Sequence, residues 1–185
     1  MTGRPLSLTE RRRVILLLSC AGLASNANLR MLDSALPQIA EDFAVTAGQV
    51  GQLASAYLLA YGACQLPFGI IGDRRGKYRL IAVFCYLCFA ATLAGALAAS
   101  FGQLWLLRLL AGAVAAAVIP MSVSWMGDNV PIDQRQAVLA GYMAGTLTGM
   151  VLGQIGGGFL AEWVSWRLAP AMVALIYLAV GIGMT

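Results

Sequence analysis

The stretch GQLASAYLLAYGACQLPFGIIGDRRGKYRLIAVFCYLCFAATLAGALAAS, residues 51–100, decides the fold. Two apolar runs flank a turn crowded with charge, Asp73-Arg74-Arg75-Gly76-Lys77-Tyr78-Arg79. Each run supplies about 20 residues of helix, the length that a hydrocarbon layer roughly 30 Å thick demands. Backbone amides and carbonyls cannot go unpaired in lipid, so such runs are helices, and two joined by a tight polar turn form a hairpin through a bilayer.

The same pattern recurs on both sides. Spans are expected at about 14–40, 49–72, 79–100, 103–127, 136–161 and 167–185, with short connections. Of 185 residues, 60% are hydrophobic and 11% charged, and the mean hydropathy is +0.79, beyond the range of a soluble domain. The expected fold class is an all-α membrane protein, a six-helix transmembrane bundle over residues 14–185 preceded by a basic tail, 1–13.

Charge orients the bundle. Arg4, Arg11, Arg12 and Arg13 precede the first span, Arg74, Arg75, Lys77 and Arg79 crowd the second turn, and Arg135 lies between the fourth and fifth spans. The turns around Asp42, Ser100 and Trp163 carry no base except Arg167. The positive-inside rule then places the amino terminus in the cytoplasm of a multi-pass inner-membrane protein. The basic balance reports topology, and nucleic acid is not an expected partner.

Other classes fit poorly. Cys20, Cys64, Cys85 and Cys88 all fall inside expected spans, against a secreted disulfide framework, and the Cys85–Cys88 pair lacks the βαβ context of a redox motif. Arg11-Arg12-Arg13 before an apolar run imitates a twin-arginine signal peptide, but the helical pattern runs past the supposed cleavage site to Leu36 and five more spans follow. The sequence has no His, no nucleophile elbow, no phosphate-cradling loop and no metal-ligand cluster, so neither an enzyme, a cofactor nor a bound metal is expected.

Three charged residues lie deep within spans: Arg30 and Asp33 in the first, Arg108 in the fourth. Each costs about 2.5–3.5 kcal/mol at mid-bilayer on insertion scales, so they are expected to face inward and pair. Asn26, Arg30, Asp33 and Pro37 are spaced four, three and four apart, which puts them on one face of a continuous helix. Asp33 and Arg108 each stand about 10 Å from the outer ends of their helices, at matching depth. Two readings of that pair stand: an ion pair that fixes packing, or a proton-coupling site in which Asp33 loads and releases a proton as its surroundings change. Tyr57, Tyr61 and Gln65 repeat every four residues in the second span, either as a substrate-cavity wall with Asn26 and Arg30 or as packing. Pro67 and Pro120 mark places where helices can kink. In the fifth span Gly141, Gly145, Gly149, Gly153 and Gly157 recur at intervals of four, a ladder expected to seat a neighbouring helix closely.

In the second turn, Gly69-Ile-Ile-Gly72-Asp73-Arg74-Arg75-Gly76-Lys77 resembles the loop motif G-x-x-x-D-R-x-G-R-R of the major facilitator superfamily. Arg108 with Gly112 resembles that family's fourth-helix R-x-x-x-G pattern, associated with proton coupling, and Arg30, Asp33 and Leu36-Pro37 resemble the first helix of drug- and sugar-efflux members. Gly149 to Gly157 is similar to the fifth-helix motif of the antiporter branch, except that Gln154 stands where the family usually has Pro. The resemblance implies an amino-terminal half-transporter of two inverted three-helix repeats. Its implied function is proton-coupled efflux of a small, partly apolar organic solute such as a drug, with sugar or metabolite transport, or a non-transporting folding unit, as alternatives. It also implies a conformational latch, in which Gly69, Asp73, Arg74 and Gly76 form the loop, Asp73 holds the two halves together and Lys77 pairs with Asp128. The expected partners are the lipid bilayer, a small-molecule substrate, and either a missing carboxy-terminal half or a second copy of this chain, with the proton gradient as energy source. The sixth span stops at Thr185 with no tail, which favours a fragment of a longer protein over a half-size one.

Overall fold

The computed structural model describes residues 7–185, leaving aside the side chains of residues 69–75. The chain is helical throughout its spans: α1 (Leu8–Arg30), a 3-10 turn (Asp33–Ala35), α2 (Leu36–Asp42), α3 (Ala47–Arg75), α4 (Lys77–Ala96), α5 (Phe101–Ala115), α6 (Val118–Asn129), α7 (Ile132–Trp163) and α8 (Leu168–Met184). Among the described residues, Leu8–Asp42, Lys77–Ala96, Phe101–Asn129 and Ile132–Trp163 are each long and apolar enough to cross a membrane, and Leu168–Met184 is a shorter apolar helix.

Local signals set the boundaries. Ser7 and Glu10 form a reciprocal capping box, which starts α1 six residues before the expected 14 and draws Arg11, Arg12 and Arg13 onto the helix rather than into a tail. Thr46 and Gln49 do the same for α3, and the Ser100 hydroxyl accepts from the Gln103 amide to start α5. Between α3 and α4 a single residue, Gly76, turns the chain at φ +83°, a region open to glycine and costly for residues with a Cβ.

The first and fourth spans are not continuous rods. Pro37 has no N–H to give the carbonyl four residues back and its ring presses on that carbonyl, which belongs to Asp33. The ladder accordingly ends with Met31 bonding Ala27, slips to a 3-10 step from Ala35 to Leu32, and resumes in α2. The expected single polar face from Asn26 to Pro37 is broken there. Pro120 acts likewise on Ala116: α5 ends at Ala115 and the Ala117 amide reaches back only to Val114. Pro67 sits inside α3 without interrupting it.

Packing reveals two related halves within the bundle. The first span lies chiefly against the fifth (α1 on α7), and the fourth against the second (α5 on α3). The first also meets the sixth, as the fourth meets the third, and the third and sixth pack together. Exchanging spans 1, 2, 3 with 4, 5, 6 leaves this pattern unchanged, which is the signature of an inverted repeat. Close approach is bought by small residues. A Cβ on Gly153 would sit 2.5 Å from the Ala27 carbonyl oxygen; Cβ atoms on Gly149 and Gly157 would collide with the carbonyls of Leu23 and Met31, and one on Gly112 with that of Tyr57.

Candidate functional site

The site grows from the break in the first span. An unbroken helix would give the carbonyls of Asn28 and Leu29 to the amides of Leu32 and Asp33; here the side chain of Arg108 takes that place. Its Nη1 donates to the Asn28 carbonyl at 2.9 Å and to Asn28 Oδ1 at 3.0 Å, and its Nη2 to the Leu29 carbonyl at 3.4 Å. The guanidinium also lies over the Tyr57 ring, 4.3 Å from its centroid. Arg108 is only 4% exposed, so a cation at a helix C-terminal end, where the macrodipole is negative, replaces water as the partner of those carbonyls. Asn28 is itself held: its Nδ2 donates to Thr92 Oγ1 at 2.8 Å, tying the first, third and fourth spans at one buried point.

Asp33 does not pair with Arg108. Its Oδ2 accepts from Arg30 Nη1 at 2.8 Å, one turn back on its own span. The expected cross-bundle ion pair fails because the proline break frees carbonyls that capture Arg108 and turns Asp33 back toward Arg30. The Arg30–Asp33 pair stays accessible, with side chains 47% and 21% exposed, although the 3-10 turn that carries Asp33 packs against α7.

The remaining cavity candidates divide. Tyr57 is fully buried beneath Arg108 and lines no open surface; its ring stacks with that of Tyr61 at 6.1 Å. Asn26 points into the α1–α7 seam, where Nδ2 donates to the Thr146 carbonyl at 3.0 Å. Tyr61 is half-buried and Gln65 and Arg30 are exposed, so these three stay available to an open face. Asn28 and Thr92 were not singled out by the sequence; both sit among apolar neighbours, and only the position of Asn28 two residues before Arg30 and its buried amide could have pointed to it.

The glycine ladder functions over three rungs. Gly149, Gly153 and Gly157 meet α1, whereas a Cβ at Gly141 or Gly145 would meet nothing within 4 Å. Each four-residue step rotates about 40° around a helix of 3.6 residues per turn, so a strict ladder drifts off its partner. Farther along, the seam reverses: Gly22 on α1 receives Tyr142 and Thr146 from α7.

At the Gly76 end, Lys77 Nζ pairs with the Asp128 carboxylate across α4 and α6, beside the Tyr78 and Trp125 rings. Gly69, Asp73 and Arg74 lie outside the described residues. At the opposite end Trp166 Nε1 donates to Asp42 Oδ2 at 2.7 Å, and Arg167 Nη1 donates to the carbonyls of Ala96 and Ala98 at 3.0 and 2.8 Å, capping α4.

A half-bundle of two inverted three-helix units, with ionisable residues gathered at a helix break inside the membrane, defines one half of a membrane transporter. The sequence profile of the Major Facilitator Superfamily matches residues 18–185, and the chain belongs to that family. It is 32% identical over 170 residues to the chloramphenicol resistance protein of Streptomyces lividans, covering 90% of this chain and 43% of that protein. It is 29% identical over 157 residues to the multidrug export protein EmrB of Haemophilus influenzae, covering 82% and 31%. The chain spans less than half the length of the curated relatives it matches, from 24% to 43% for these and others. A bacterial homologue of the human lysosomal transporter Spinster, in an inward-facing occupied conformation, superposes with a TM-score of 0.86 at 20% identity, over 97% of this chain and 44% of that one. The proton:xylose symporter XylE gives 0.83 at 14%, over 94% and 44%. These two likenesses concern the fold alone.

Proposed function

We propose that this chain forms the amino-terminal half of a proton-coupled exporter of small, partly apolar organic solutes, inserted in the inner membrane with its amino terminus in the cytoplasm. The observation that carries the reading is the Arg30–Asp33 pair, 2.8 Å long beside a helix break and left partly uncovered by the half-bundle. A charged pair at that depth is too costly to face lipid, so the uncovered side is the one a second six-helix body closes, supplied by a further half or by another copy of the chain. Asp33 carries the proton, Arg108 holds the break that presents it, and Tyr61 and Gln65 contribute to the cavity wall. The Gly76 turn, with Asp73 and the Lys77–Asp128 pair, biases the inward–outward equilibrium. No cofactor is required, because the proton gradient supplies the energy. Support for a drug-like cargo comes from relatives named for chloramphenicol resistance and multidrug export.

The test is flux of chloramphenicol by the full-length protein in proteoliposomes under an imposed pH gradient. Asp33→Asn is expected to abolish the gradient-driven component while leaving exchange at equal pH. Gradient-driven flux that survives Asp33→Asn would remove Asp33 from the mechanism.

A further inference from the structure

Within the membrane the described charges do not balance. Between the two rims the spans hold Arg30, Arg108 and a single carboxylate, Asp33, so two cations against one anion leave one net positive charge. Arg108 contributes its charge without offering a contact, since it is buried and its Nη groups are spent on the carbonyls of Asn28 and Leu29. Arg30 is different. It is the exposed cation of the site, and only its Nη1 is engaged, by one oxygen of Asp33. Its side chain is 47% exposed, and the remaining N–H donors of the fork have the geometry that grips two oxygens of a carboxylate or phosphate at once. In surroundings of low dielectric, a positively biased site with a free planar fork attracts an oxyanion and repels a lipophilic cation.

From this we infer that, among partly apolar cargoes, the site favours organic anions over neutral or cationic solutes: amphiphiles whose carboxylate or phosphate docks on Arg30 while the apolar body lies along the cavity wall near Tyr61. Asp33 orients the fork by holding one edge, and Arg108 supplies background positive charge through the break it caps. The assignment deepens the transport reading of the same site and rests on it for the cavity that the cargo enters.

Two dyes built on one xanthene core, carboxyfluorescein as the anion and rhodamine 123 as the cation, separate charge from shape. Saturable binding of each to the full-length protein in nanodiscs is measured by fluorescence polarisation against empty nanodiscs, and flux is measured separately in proteoliposomes. Carboxyfluorescein is expected to bind at least tenfold more tightly than rhodamine 123. Arg30→Gln should weaken it at least tenfold without weakening rhodamine 123, and Arg30→Lys should restore part of the loss, a rescue that a merely structural role would not give. Rhodamine 123 bound in preference, no saturable binding of the anion, or an Arg30→Gln effect below twofold overturns the inference. Tight carboxyfluorescein binding with no flux would leave it standing and overturn the transport reading instead.

Discussion

The first and fourth spans are broken in the same way and completed in opposite ways. In each, a proline denies an amide to the carbonyl four residues upstream, Asp33 for Pro37 and Ala116 for Pro120, and the ladder breaks there or, in the first span, a turn earlier. Around the first break stand Arg30, Asp33, Arg108, Asn28 and Thr92, with the freed carbonyls held by a guanidinium. Around the second stand Ala115, Ala116, Ala117 and Val118, all fully buried, and among the described residues no side chain donates to the carbonyls of 113–117. A proline therefore fixes where a span breaks, and the facing helix decides whether the break becomes a charged site or a quiet joint. The inverted repeat supplies two equivalent positions, and only one has been given polar chemistry.

The largest effect should come from removing the cap. Arg108→Met leaves two carbonyls without partners in a dry interior, at about 1–3 kcal/mol each, partly offset by no longer burying a charge. Unfolding of the full-length protein in mixed SDS micelles should show a loss of about 3 kcal/mol. Adding Pro37→Ala lets the helix close on its own carbonyls, so the double variant should lose clearly less than the sum of the singles. Strict additivity would show that Arg108 does not act as the cap. Arg167→Met makes the same deletion at the rim, where water can serve the Ala96 and Ala98 carbonyls, and should cost only about 1 kcal/mol in the same assay.

Next comes the steric support of the first break. Gly157 admits the Met31 carbonyl at the end of α1, so Gly157→Ala must push the two helices apart and should cost about 1–3 kcal/mol. Gly141→Ala, where a Cβ meets open space, should instead gain roughly 0.5–1 kcal/mol from helix propensity. Equal effects at the two positions would mean that α7 does not seat on α1 as described. Thr92→Val is subtler: it unpairs the Asn28 amide and should cost about 1 kcal/mol, with a matching loss in Arg108→Met cut short because both act through Asn28.

Much of this was legible in residue types. Length and hydropathy gave six spans, and Arg108 was rightly expected to turn inward, because a lone charge among Leu and Ala has few other places to go. What it would hold was not legible. Its partners are backbone carbonyls, and a carbonyl becomes available only once a helix breaks, an event decided by Pro37 on another span nine residues past Asn28. The pairing of Asp33 with Arg108 was a reasonable guess from charge and depth that backbone chemistry overrode. The ladder of glycines was read as uniform because its spacing is uniform, while helical pitch makes only three of its rungs useful. Eleven of the twelve bases are Arg, and the structure gives a reason: Arg13, Arg108, Arg135 and Arg167 all donate to carbonyls at or just beyond helix ends, a task for a forked donor rather than a point charge.

The smallest expected effect is the one that tests the comparison most directly. Pro120→Ala restores an N–H to a site with no charge to present and no cap to displace, so the fourth span can close its ladder locally. Stability should rise by up to about 1 kcal/mol, since a proline inside a helix costs more than it returns when nothing uses the break. Gradient-driven flux in the proteoliposome assay should remain within twofold, whereas Pro37→Ala should abolish it by drawing the Asn28 and Leu29 carbonyls away from Arg108. If the two substitutions proved equally harmful to flux, the second break would be a working joint of the transport cycle, and the difference between charged site and quiet joint would be one of chemistry but not of motion.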